Sequence, residues 1–123
     1  MASGTIHNFI PTIVVDDTTT GASNFTVDKT YTVSGNGMII VYASCASDQN
    51  DSGWDAVSIS HNNNRVMAAG GRYTATSTVT GAFASVPISV SNGDTISVSL
   101  SNTKVGTRNF YRRFLCFGGC TLS

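Results

Sequence analysis

The sequence predicts an all-β domain built as a two-sheet antiparallel sandwich, and three observations lead there. Val86, Ile88 and Val90 alternate with small polar residues, an Asn92-Gly93-Asp94 turn follows, and Ile96, Val98 and Leu100 alternate with serines. Turn signals recur every eight to twelve residues or so, the rhythm of short strands joined by tight connections. All seven acidic residues are Asp, and Ser and Thr are dense, so the composition supplies turns and strands but few helix formers. The 86–101 segment reads as a hairpin with one apolar and one hydroxyl face. A lone hairpin is marginal in water, so its apolar face requires a second sheet. Val57, Ile59, Val86, Ile88, Val90, Ile96, Val98 and Leu100 are the expected inter-sheet core.

The chain of 123 residues is read as a single domain, 1–123, with residues 1–4 as a flexible start or an added remnant. That length buries roughly two thirds of the unfolded surface. A formal net charge of zero with 11% charged residues removes the field that nucleic acid or an anionic membrane would need. No apolar run of 18 residues is present, so no membrane insertion is expected. The first residues lack a basic stretch followed by an apolar core, so no signal peptide is read there. The expected location is extracellular or on a virion surface, reached by another route or by display on a larger particle.

In chain order, Ile6, Phe9, Ile13 and Val15 mark a broken strand over about residues 5 to 15, interrupted at Pro11. Asp16 to Gly21 is turn material. Phe25, Val27, Tyr31 and Val33 are strand residues on both sides of a turn expected at Asp28-Lys29, and Ser34-Gly35-Asn36-Gly37 is a second turn. Met38 to Ala46 is apolar in both period-two phases and reads as a central strand. Ser47 to Gly53 is a polar loop, followed by Trp54, Ala56 or Val57, and Ile59, with Trp54 read first as a core residue and second as a stacking ligand group. His61-Asn62-Asn63-Asn64 is a turn, Arg65 to Ala69 a strand, and Gly70-Gly71 another turn. Tyr73 to Thr80 is a threonine-rich strand candidate ended by Gly81, and Asn102 to Thr107 a loop. Pro87 lacks a donor and fits a strand start or a sheet edge. The closing Asn109 to Phe117 is again apolar in both phases, each phase carrying one arginine.

Two strands with apolar residues on both faces exceed what one sandwich interior covers, and a subunit interface is the economical cover. The interface candidates are Met38, Ile40 and Tyr42 from the first strand and Phe110, Tyr111, Arg113, Leu115 and Phe117 from the second. Tyr111, Arg113, Leu115 and Phe117 are the preferred outward phase, and a one-residue shift would exchange them with Phe110, Arg112, Phe114 and Cys116.

Catalytic chemistry finds little support. His7 and His61 stand in an extended segment and an Asn-rich turn without nucleophile-elbow or metalloprotease spacing, so the chain is not read as an enzyme and no catalytic residue or cofactor is assigned. Three cysteines, Cys45, Cys116 and Cys120, cannot all pair internally, and buried thiols are expected. Cys116 and Cys120 lack further ligands at zinc spacing, although Gly118-Gly119 suits a small closed loop. Asp48, Asn50, Ser52 and Gly53 resemble the opening of an EF-hand loop, but the terminal Glu and flanking helices are missing, so the reading is an Asx-rich turn and no metal is assigned. Its polar tip makes Asp48, Asn50, Asp51 and Trp54 the leading ligand candidates. Asn62, Asn63 and Asn64 follow, because short amides match carbohydrate donors and acceptors.

Four stretches taken together resemble the trimeric jelly-roll domains of the C1q and tumour-necrosis-factor type, including domains that cap bacteriophage fibres. They are Tyr31 to Tyr42, Val57 to Val66, Val90 to Val98 with its Gly93-Asp94 turn, and the aromatic Asn109 to Phe117. The chain lacks the Gly-X-Y stalk of collagen-linked members. The resemblance implies a two-sheet antiparallel jelly-roll sandwich, a homotrimer, and an aromatic last strand near the threefold axis. The function expected is a non-enzymatic receptor-binding knob of a viral tail fibre, attaching to a host surface glycan or protein. The alternative is a structural domain that trimerises a longer fibre or decorates a capsid without a receptor of its own.

Overall fold

Alternating apolar and hydroxyl side chains need a backbone whose two faces meet different surroundings, and strands provide it. The computed structural model describes residues 12–21, 26–47, 53–73, 80–102 and 108–123. Among them the chain runs β1 (Thr12–Gly21), β2 (Thr26–Ser34), β3 (Gly37–Ser47), β4 (Gly53–His61), β5 (Asn64–Tyr73), β6 (Thr80–Val90), β7 (Thr95–Asn102), β8 (Arg108–Gly118) and β9 (Thr121–Leu122), with no helix. The strands form a four-stranded sheet ordered β1-β8-β3-β6 and a five-stranded sheet ordered β5-β4-β7-β2-β9. All the pairings among these residues are antiparallel, and the architecture is a jelly-roll sandwich.

The interior lies between the sheets. Ile39, Val41, Ala43 and Cys45 of β3, Phe110, Phe114 and Cys116 of β8, and Ile88 and Val90 of β6 meet Val57 and Ile59 of β4 and Ile96, Val98 and Leu100 of β7. Val86 is partly buried against this cluster rather than inside it. As read from the sequence, β3 and β8 are interior strands of their sheet, and Pro87 sits on β6 at the sheet edge, where its missing donor costs least. The three cysteines are free and buried.

The 86–101 segment is not a hairpin. β6 pairs with β3, β7 pairs with β2 and β4, and residues 91–94 carry the chain from one sheet to the other. Alternation fixes which face of a strand is apolar, and two such faces close equally well across an interior as side by side. The β4–β5 connection is a true hairpin, with Asn62 and Asn63 at φ of 49° and 67°, the left-handed pair that a two-residue primed turn requires.

Three expected turns are strand instead. Asp16 to Gly21 continues β1 beyond a bulge between Ile13 and Val15, and its register sets Asp16 opposite Arg113 and Asp17 opposite Arg112. Opposite charges at facing positions and three β-branched threonines favour pairing over the local turn chemistry of Asp. Asp28 and Lys29 lie inside β2, exposed, opposite Ser99 and Val98. Gly70-Gly71 continues β5, where a Cβ at Gly70 would meet the Asp55 carbonyl at 3.2 Å. Gly81 likewise lies within β6, opposite Ala46. The strand expected over 5 to 15 is described from Thr12 onward. Residues 74–79 and 103–107 lie outside the described residues.

Arg112 is one of two buried charged side chains among the described residues, 2% exposed, the other being Asp55. Its Nε donates to the Tyr31 hydroxyl at 3.1 Å, and its guanidinium lies 4.9 Å from the centre of the Phe110 ring. The Tyr31 ring meets Phe114 edge-on at 4.9 Å. One hydrogen-bonded, ring-covered guanidinium is thus held where a bare one would be expelled.

Val98 is fully buried in the centre of β7. Val98→Asp should abolish folding, because an unpartnered carboxylate there costs several kcal/mol out of a total stability of about 5–15 kcal/mol. Circular dichroism of a soluble, strand-rich V98D protein would overturn the strand phase. Leu100→Ala should fold with a loss of about 2–5 kcal/mol in denaturant titration.

Candidate functional site

The two outer faces of the sandwich differ in chemistry. On the four-stranded sheet, successive rows across β6, β3 and β8 read Ser89–Met38–Phe117, Pro87–Ile40–Leu115, Ser85–Tyr42–Arg113 and Phe83–Ser44–Tyr111. Their inward neighbours fill the core, so the pleat turns this set outward. Phe83 is 54% exposed and Met38 36%, and Ile40, Tyr42, Tyr111, Leu115 and Phe117 are half-buried. The Tyr42 ring lies 4.9 Å from Phe83 and 6.3 Å from Tyr111. Arg113 Nη2 donates to the Tyr111 hydroxyl at 3.0 Å, and the guanidinium lies 5.8 Å from that ring's centre. The result is a continuous aromatic and aliphatic surface with a cation held in it.

The outer face of the five-stranded sheet is hydroxyl-rich. Thr30, Ser97 and Ser60 share one row, and Asp28, Ser99 and Ser58 the next, with Thr30 and Ser97 hydroxyls 3.0 Å apart. A shallow depression of about 260 Å³ lies there, lined by Ala56, Ser58, Arg65, Ala68, Ser99 and Ser101 among others. Hydroxyls that bond one another and face water need no cover, whereas the aromatic face does.

Of the expected interface residues, Met38, Ile40, Tyr42, Tyr111, Arg113, Leu115 and Phe117 share the outer face. Phe110 does not: it is 0% exposed in the core, because β8 sends its Phe110, Arg112, Phe114 and Cys116 phase inward. Phe83 was missed, although it stands between Ala82 and Ala84, whose phase is the buried one.

The expected ligand candidates lie only partly among the described residues. Asn62 to Asn64 close the far end of β4, about 26 Å from its Gly53 end at about 3.3 Å per residue. Asp48, Asn50 and Asp51 lie outside the described residues. Trp54, placed by its backbone, is in β4 opposite Arg72 rather than in a loop, and Asp55 beside it is fully buried. Register puts Asp55 opposite Asn102 and Ala46 opposite Asn109, so the strand ends flanking residues 48–52 and 103–107 are neighbours.

At the other end, three turns brace one another. Asp94 is the hub: its carboxylate accepts from the Asn62 side-chain amide at 3.0 Å, the Ser91 backbone N–H at 2.9 Å and His61 Nε2 at 2.8 Å. These donors, Asn62 first, hold the Asp94 carboxyl down at about 2, against an ordinary 3.8. An ionised carboxylate only accepts, so His61 carries its proton on Nε2. Asn62 Oδ1 accepts from Thr95 N–H at 2.8 Å. Asn92 Oδ1 accepts from Gly35 N–H, and Asn36 Oδ1 from Asn92 N–H, each at 2.9 Å. The Asn62 amide, expected as a ligand group, is therefore committed to the fold, while Asn63 and Asn64 are exposed. His61, read as a surface turn residue, is partly covered by this bond.

No known family profile and no curated protein matches the chain. Among solved structures, it is similar to Eiger, a TNF from S. frugiperda, at 12% identity and a TM-score of 0.46 over 70% of this chain and 62% of that one. Murine APRIL gives 13% and 0.43 over 68% of this chain and 66% of that one. A family 35 carbohydrate binding module from Clostridium thermocellum gives 12% and 0.46 over 89% of this chain and 99% of that one. The chain spans less than two thirds of the length of the first two, and the likeness is one of sandwich architecture alone.

The Asp94 hub sets an acid limit on stability. A carboxylate whose folded value is depressed stabilises the fold above its unfolded value, and that contribution is lost as pH falls from 3.8 toward about 2. Thermal midpoints should therefore drop over this interval in the parent chain. Asp94→Asn should lower the midpoint at neutral pH and flatten the drop, and equal slopes for both proteins would refute the assignment.

Proposed function

We propose that this domain is a non-enzymatic assembly and attachment module, in which three copies associate through the outer face of the four-stranded sheet. The observation that carries this reading is the apolar surface of Met38, Ile40, Tyr42, Phe83, Leu115 and Phe117, set against the hydroxyl face on the opposite sheet. Covering a side chain such as Phe83 or Leu115 is worth roughly 1.5–3 kcal/mol, and a self-complementary contact repeats that gain in every copy. The hydrophobic argument calls for assembly. The threefold order follows from the resemblance of the strand sequences to trimeric jelly rolls.

The proposed setting is the knob of a viral fibre exposed at a virion surface or outside the cell. Its loops would engage a host surface glycan or protein. The strand ends around residues 48–52 and 103–107 gather at one end of the sandwich, which supports Asp48, Asn50, Asp51 and Trp54 as the attachment loop and Lys104 to Arg108 as its neighbour. Three weak copies of such a site, fixed by one assembly, bind a multivalent surface with avidity beyond each single affinity. A second reading, a purely structural trimerisation or decoration domain, is favoured by the consumption of the Asn62 amide inside the turn.

Sedimentation equilibrium over a wide concentration range should give a mass near three chains. Leu115→Glu and Phe83→Glu should each shift it toward one chain with unchanged strand circular dichroism, since both side chains face outward. A stable monomer in the parent chain would overturn the interface, and a stable dimer its symmetry.

Alanine at Asp48, Asn50 and Asp51 together should weaken binding to host cells or to a glycan array while the trimer mass persists. Unchanged binding would move attachment to the Lys104 to Arg108 loop. Parent trimers that bind no host surface would favour the structural reading.

A further inference from the structure

β8 belongs to the four-stranded sheet and β9 to the five-stranded one, so the chain crosses between sheets over two residues, Gly119 and Cys120. Gly118 takes a φ of +84°, a conformation that permits so short a reversal. The reversal returns the Cys120 thiol to the buried side of β8, into the same apolar cluster as Cys116. Both cysteines are free and buried, 3% and 4% exposed. Backbone on two strands seats the Cys120 sulfur: it donates toward the Phe117 carbonyl at 3.5 Å and the Met38 carbonyl at 3.8 Å. A Cβ at Gly37 would collide with the Phe117 carbonyl oxygen and stand 2.8 Å from that sulfur, so glycine makes room for both.

The segment that carries Cys120 is lightly held. β9 has two residues, and its link to β2 includes the reciprocal backbone bonds of Thr32 and Ser123 at 2.9 and 3.1 Å. A two-residue strand held by so few backbone bonds opens far more often than the sheets it joins, and opening it uncovers Cys120 while Cys116 stays paired in β8.

We propose that Cys116 and Cys120 form a redox-controlled staple, which a low-molecular-weight disulfide closes into an intramolecular bond that fastens β9 and the sheet crossing to β8. The Cys120 thiolate attacks one sulfur of the small disulfide, forming a mixed disulfide and releasing one small thiol. Cys116 then attacks the Cys120 sulfur, a Cys116–Cys120 bond forms, and the second small thiol leaves. Two electrons pass from the cysteine pair to the small disulfide, and the two cysteine protons end on the two released thiols. Burial and the neighbouring thiol push Cys116 up to about 12. The entry step falls to Cys120 because it adjoins the two-residue β9, whereas Cys116 is paired within β8. The carbonyls that seat Cys120 belong to Met38 and Phe117, the end row of the apolar outer face, so closing the staple also fixes that edge.

The full chain incubated with glutathione disulfide should lose about 2 Da by intact mass, with Cys45 still open to alkylation after unfolding. Peptide mapping should find the bond between Cys116 and Cys120. Amide exchange at Thr121 and Leu122 should slow by about tenfold or more on oxidation. Cys116→Ser should stop at a glutathione adduct on Cys120, and Cys45→Ser should behave as the parent. An unchanged mass, a persistent adduct on the parent chain, or a bond that includes Cys45 would overturn the staple.

Discussion

The register between β3 and β8 is the constraint on which the rest depends. Both strands are apolar in both phases, so hydrophobicity alone would accept either face as the inner one. A slip of one residue in β8 would bring Tyr111, Arg113, Leu115 and Phe117 inside and turn Phe110, Arg112, Phe114 and Cys116 out. Three features select the observed phase. Gly37 faces Gly118 at one end of the pair, where the Cys120 sulfur leaves no room for a side chain. Arg112 reaches the Tyr31 hydroxyl of the opposite sheet, and Phe114 stacks edge-on against the same ring. A polar contact with one geometry thereby chooses between two apolar alternatives of similar worth.

With that register fixed, the sandwich has two unlike ends. At one, Asp94, Asn62, Asn92 and Asn36 exchange side-chain and backbone hydrogen bonds across three turns, locking connections that pass between sheets. Short amides and carboxylates suit this task because they mimic backbone groups and tolerate left-handed φ. Their abundance in these turns is explained by bracing, and polarity there is not by itself a sign of a ligand. At the other end gather the strand ends that flank residues 48–52 and 103–107. Attachment is proposed at this second end, away from the braced turns.

The two sheet faces divide the remaining work. Ser58, Ser60, Ser97 and Ser99 give the five-stranded sheet a face that water satisfies. Tyr42, Phe83, Leu115 and Phe117 give the other sheet a face that water does not, and assembly is the proposed means of covering it. Arg113 stands within that apolar surface with its guanidinium bonded to the Tyr111 hydroxyl, so a cation at the interface comes with a partner supplied by its own chain.

The sequence by itself determined the all-β class, the central places of β3 and β8, the edge place of Pro87, the Asn-rich hairpin turn and most of the core, because period-two alternation and turn residues act over a few neighbours. It also carried, in Phe83 between two alanines, a signal left unread. Long-range pairing decided the rest. Val86 to Val90 and Ile96 to Leu100 look like one hairpin but close across the interior, since alternation names a face and not a neighbour. Asp16-Asp17 and Asp28-Lys29 look like turns but extend strands, because partner strands supply hydrogen bonds and facing residues that local propensity cannot register. The inward place of Phe110 and the burial of Cys116 and Cys120 in one cluster were likewise decided in three dimensions, where register sets which side of a strand each residue occupies.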